Sequence, residues 1–62
     1  MSWTQYEVWA ELDRHQELIE TTHSKKEALS LAKKTFNDGA DTVTVYEETE
    51  EGDYKEIERL SR

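Results

Sequence analysis

The chain has 62 residues, no cysteine, no proline and two glycines, and its fifteen acidic against eight basic side chains give a formal charge of −7. That length makes one domain near the lower limit for folding unaided, and the missing thiols exclude disulfide staples, thiolate zinc ligands and cysteine nucleophiles. Apolar residues are 34% of the chain, low for a globular domain, yet they recur with clear periods that a disordered chain does not show. No apolar run is long enough for a membrane span or a signal sequence, so a soluble, cytoplasmic protein without a membrane partner is expected.

The first predicted element covers residues 4–12. Tyr6, Val8, Ala10 and Leu12 alternate with Gln5, Glu7, Trp9 and Glu11, the period of a half-buried strand. The polar triplet 13–15 fits a turn, and residues 16–22 form a second strand. Its inward face is ambiguous: Leu18 lies on one side and Ile19 on the other, a conflict that a β-bulge would resolve. Ser24-Lys25-Lys26-Glu27 is a capping box, in which the serine hydroxyl and the glutamate carboxylate satisfy free amides of a first helical turn. Ala28, Leu29, Leu31, Ala32 and Phe36 follow as one apolar stripe, so a helix is predicted over 25–37, ending at Asn37-Asp38-Gly39 with the glycine free to take positive φ.

Residues 42–48 read as a third strand with Val43 and Val45 inward and Thr42, Thr44 and Tyr46 outward, and 49–53 as a hairpin loop around Gly52. In 54–60, Tyr54, Ile57 and Leu60 are spaced by three, which suits a helix. A tail helix would have little left to cover, whereas a strand completes a second hairpin, and the strand is preferred. The predicted fold is α+β in a single domain, 1–62, without repeats: two β-hairpins joined by one helix (β-β-α-β-β), forming a four-stranded, mostly antiparallel sheet with the helix on one face. Strand orders β2-β1-β3-β4 and β2-β1-β4-β3 both remain open. The other face has no partner within the chain. It would carry Trp9 and Tyr46, with Ile19 as a further candidate and Trp3 near the edge, and exposed aromatics on a polar sheet face point to an interface.

Charge is segregated. Residues 1–23 carry a net −4, residues 24–40 a net +2 and residues 41–62 a net −5. The densest acidic run comprises Glu47, Glu48, Glu50, Glu51 and Asp53. Its spacing does not match a calcium loop, which needs oxygens at alternate positions and a glutamate at the twelfth. A solvated hairpin also lacks the dry pocket that splits the pKa values of a catalytic carboxylate pair. Two readings remain: a solvated loop that keeps an edge strand soluble, and an acidic surface that imitates a row of phosphates and meets a basic groove. Lys25, Lys26, Lys33 and Lys34 form a solvated helix face, since the rest of the chain would repel a nucleic acid and no aromatics interleave the lysines.

His15 and His23 share no helix face, Ser24 is engaged as a cap, and no glycine-rich phosphate loop exists. The expectation is therefore a non-enzyme with no catalytic residue, no cofactor and no metal. A strand pair, the capped helix beginning Ser-Lys-Lys-Glu-Ala-Leu-Ser-Leu-Ala-Lys-Lys at 24–34, and the strand Asp-Thr-Val-Thr-Val-Tyr at 41–46 together resemble small bacterial and phage β-β-α-β-β proteins. In size, acidity and lack of catalytic residues the chain is similar to some phage anti-CRISPR proteins. That resemblance implies a binding protein, an inhibitor that blocks a basic nucleic-acid groove. The leading expectation is an acidic protein-binding module that docks on a basic protein surface through Trp9, Tyr46, Glu47, Glu48, Glu50, Glu51 and Asp53. The rival is an assembly module that homodimerises through its open sheet face.

Overall fold

Alternating side chains extend the chain into β1 (Thr4–Leu12), and the same logic gives β2 (His15–Thr22), β3 (Thr42–Thr49) and β4 (Tyr54–Ser61), with one helix, α1 (Lys25–Asn37), between the hairpins in this computed structural model, which describes residues 2–62. The sheet order is β2-β1-β3-β4 with every neighbouring pair antiparallel, so the first of the two predicted orders holds and 54–61 is a strand. The β1–β2 turn is only Asp13-Arg14, and His15 belongs to β2. Both turn residues are left-handed, at φ 52° and 69°, as a two-residue hairpin turn demands to match the twist of its strands. Aspartate tolerates that conformation; arginine does so at a steric cost.

The core is built around one cross-strand pair, Val8 of β1 and Val45 of β3, both fully buried. Each is flanked on its outer side by a bulge. In β2 the register slips between Val8, paired with Glu20, and Trp9, paired with Leu18, leaving Ile19 as an extra residue. In β4 it slips between Val45, paired with Glu58, and Tyr46, paired with Glu56, leaving Ile57 extra. Both extra isoleucines turn to the helix side: Ile57 packs against the core, and Ile19 borders a groove with Ala10, Leu12, Thr35 and Ala40. Ile19 is therefore not on the open face as expected. The slip brings it round to the same side as Glu20, and Leu18 faces out beside Trp9 instead. The two hairpins thus repeat each other about the Val8–Val45 pair, a likeness carried by geometry and by the short matches Leu18-Ile19-Glu20 and Glu56-Ile57-Glu58.

The helix rests on Ala28 and Ala32, one turn apart and almost completely buried. Small side chains at that contact let the helix axis sit close over the central strands, with Leu29, Leu31 and Phe36 wedged along its flanks. Ser24 caps the N-terminus, its hydroxyl accepting from the Glu27 amide at 3.2 Å. The reciprocal half of the predicted capping box is replaced by a relay. The Thr22 hydroxyl donates to the Glu27 carboxylate at 3.0 Å and accepts from the Ser24 amide at 3.1 Å, because the end of β2 places Thr22 between them. At the C-terminus Gly39, at φ 121°, donates to the Phe36 carbonyl and Ala40 to that of Thr35, the pair of bonds that closes a Schellman turn. Arg62 lies over the Phe36 ring at 4.3 Å and donates to the Ala40 carbonyl, tying the end of β4 to the end of the helix.

Two outcomes follow for equilibrium denaturant unfolding. Arg14→Gly removes the left-handed strain at the hairpin and should stabilise the fold by about 0.5–1 kcal/mol, the steric gain outweighing the added chain freedom of glycine; an unchanged midpoint would show the turn to be unstrained. Ala32→Leu lifts the helix from the sheet and should destabilise by roughly 1–3 kcal/mol.

Candidate functional site

The sheet face away from the helix is covered by no other element among the described residues. Strand alternation and pairing place on it Gln5, Glu7, Trp9 and Glu11 from β1, Thr42, Thr44, Tyr46 and Glu48 from β3, Gln16 and Leu18 from β2, and Tyr54, Glu56 and Arg59 from β4. Its centre is an aromatic group wrapped around one carboxylate. Tyr46 and Tyr54 stack with centroids 4.9 Å apart and planes within 12°. The Tyr54 hydroxyl crosses to donate to Glu7 Oε1 at 2.7 Å, and Trp9 Nε1 donates to the same oxygen at 3.0 Å. Glu7 Oε2 has no hydrogen-bond partner among the described residues. Burial, with the Glu7 carboxylate as acceptor, pushes the Tyr54 phenol up to about 12, so it remains a donor throughout the physiological range.

Around this centre the remaining charges are mostly negative. Glu48 accepts from Gln5 Nε2 at 2.8 Å, Glu56 pairs with Arg59 at 3.0 Å, and Glu11 lies one step beyond Trp9. The crevice bounded by Trp9, Glu11, Thr44 and Tyr46 has a volume of only about 20 Å³, far below the roughly 300 Å³ at which small-molecule pockets begin. That crevice is too small to enclose such a ligand. Among the described residues no three His, Asp or Glu side chains converge to hold a metal ion, and no helix is long and apolar enough to cross a membrane.

The sequence-predicted residues divide three ways. Trp9, Tyr46 and Glu48 share the open face. Glu47, one residue on from Tyr46, lies on the helix side, where it meets Lys55 at 3.6 Å and helps burial push the Tyr6 phenol up. Glu50, Glu51 and Asp53 are exposed in the β3–β4 loop, which closes on itself through Thr49: its amide donates to the Asp53 carbonyl and its hydroxyl accepts from the Asp53 amide. The Glu50 amide donates to the Trp3 carbonyl at 3.1 Å, so the acidic loop is anchored at the end of the sheet and borders the open face without being part of it. Two members of the central group, Glu7 and Tyr54, were not among the predicted site residues. Glu7 was readable, since period two sets it beside Trp9. Tyr54 was hidden by the bulge at Ile57: unbroken alternation from the inward Leu60 would have put Tyr54 on the helix side.

No protein-family model matches this chain, and no curated protein or solved structure matches it either.

The geometry around Tyr54 predicts an alkaline signature. Its folded-state pKa lies above the ordinary value of 10.0, so the stability it contributes is intact below pH 10 and is lost as pH rises toward 12. In a phenolate absorbance titration of the folded protein, Tyr54→Phe should remove a step near pH 12; loss of a step near pH 10 instead would mean that Tyr54 does not bond Glu7 in solution.

Proposed function

We propose that the chain is a non-enzymatic binding module whose open sheet face docks on a basic surface of another protein. The observation that carries this reading is the uncovered aromatic–carboxylate group of Glu7, Trp9, Tyr46 and Tyr54 at the centre of a flat, predominantly acidic face. Aromatic rings supply interface energy when desolvated, while the surrounding carboxylates, with the Glu50–Asp53 loop at the rim, steer a positively charged partner into place. The face carries the same sign of charge as a phosphate backbone, so a groove built for nucleic acid is the basic surface that fits best. Inhibition by occupying such a groove follows from this reading, in line with the phage-inhibitor resemblance.

Self-association through the same face fits less well. A face-to-face pairing about a two-fold axis sets the same patch against itself, so Glu7, Glu11 and Glu48 of one copy would meet those of the other, with Arg59 already engaged by Glu56.

The test begins with recovery of partners from native-host lysate at low salt, followed by kinetics on the purified partner. Raising salt from about 50 to about 200 mM should weaken binding at least tenfold, chiefly through the association rate. Trp9→Ala should weaken it at least tenfold through dissociation, and competing duplex should displace the chain. A tight homodimer in sedimentation that Trp9→Ala converts to monomer, with no partner showing this salt dependence, would establish the assembly reading in its place.

A further inference from the structure

The geometry points to a selective seat for a guanidinium group at Glu7, Trp9 and Tyr54, so that the partner is read through an arginine rather than through positive charge in general; this rests on the docking face proposed above and names the chemistry at its centre. Three features of the site converge on it. First, Glu7 is restrained. One of its oxygens takes both the Trp9 indole and the Tyr54 hydroxyl, at 3.0 and 2.7 Å, which leaves Oε2 to a donor from outside. Second, Tyr54 stacks on Tyr46 and is 49% exposed, which leaves aromatic surface accessible on a side chain that bonds the same carboxylate. Third, two of the neighbouring carboxylates already have partners, Glu56 in Arg59 and Glu48 in Gln5.

A planar, weakly hydrated guanidinium can lie flat on an aromatic ring and donate in its own plane to a carboxylate at the ring's edge. A compact ammonium ion, more strongly hydrated, must give up more water to reach the same place and cannot stack. The chain itself uses the first half of this geometry, with Arg62 lying over the Phe36 ring at 4.3 Å. The loop carboxylates of Glu50, Glu51 and Asp53 take no hydrogen bond from an aromatic side chain among the described residues and are expected to attract arginine and lysine equally.

The test uses the full chain with two probes, a short arginine homopeptide and the lysine homopeptide of the same length, followed by calorimetry and by the shift of the Trp9 indole resonance. The arginine peptide should bind about tenfold tighter than the lysine peptide and move the Trp9 signal. Glu7→Gln, nearly isosteric, should bring the ratio close to one, and Tyr54→Ala, at an exposed edge position, should do the same should Glu7→Gln perturb folding. Glu50→Gln with Glu51→Gln should weaken both peptides and leave the ratio unchanged. Equal affinities with the Trp9 signal moved by both peptides would overturn the guanidinium seat and leave the basic docking face standing; a Trp9 signal moved by neither would overturn both.

Discussion

One helix cannot cover four strands, and this constraint shapes the rest of the molecule. Four strands set about 4.8 Å apart span roughly 14 Å between outer backbones, against about 10 Å for a helix with its side chains. The alanine contact at Ala28 and Ala32 draws the helix down over β1 and β3, where Val8 and Val45 are sealed. The outer strands must reach the core by another route. Each does so with a bulge, on the same cross-strand line, that swings an isoleucine inward. Ile57 succeeds and joins the core, whereas Ile19 borders the groove at the helix C-terminus and remains 38% exposed.

The same shortage of cover leaves the opposite face to stabilise itself. It does so with polar and aromatic contacts in its own plane: a tyrosine stack, a doubly bonded carboxylate and the Gln5–Glu48 bond. Such contacts are modest individually when half solvated. Together they tie Trp9, Tyr46 and Tyr54 to one another and to Glu7, which would lower the ordering cost of the docking proposed above. Pre-organisation and incomplete cover are therefore two consequences of one cause.

Most of this fold was legible from period and capping alone. Tyr6 and Val8 at period two, Ala28 and Ala32 on one helical stripe, and Gly39 after Asn37-Asp38 each carry a local signal that tertiary packing reinforces. What the sequence obscured lies at the two bulges. A bulge turns a run of alternating residues into one with a false period of three, which is why Tyr54, Ile57 and Leu60 resembled a helix and why Leu18 and Ile19 competed for the inward position. The same effect concealed part of the site: with the slip at Ile57 unplaced, Tyr54 could not be set beside Tyr46. The acidic run misled in another way. Its density drew together residues that the strand separates, since Glu47 and Glu48 are adjacent in sequence and lie on opposite faces.

The bulges also bear on which surfaces remain for association. An edge strand is a template for pairing unless it is interrupted, and both edges here are. Opposite Val8, β2 carries Glu20 on the helix side, and opposite Val45, β4 carries Glu58 on that same side. A neighbouring strand added to either edge would have to follow an irregular backbone and set a carboxylate against its own inward residues. With both edges blunted and the helix side presenting lysines beside β2 glutamates, the broad regular surface left is the open face. That face is acidic in a chain that is itself acidic, so a second copy approaches it against charge repulsion and a basic surface approaches it with charge attraction. The docking on a basic surface proposed above rests on these two features, the shape of the sheet and the sign of its charge.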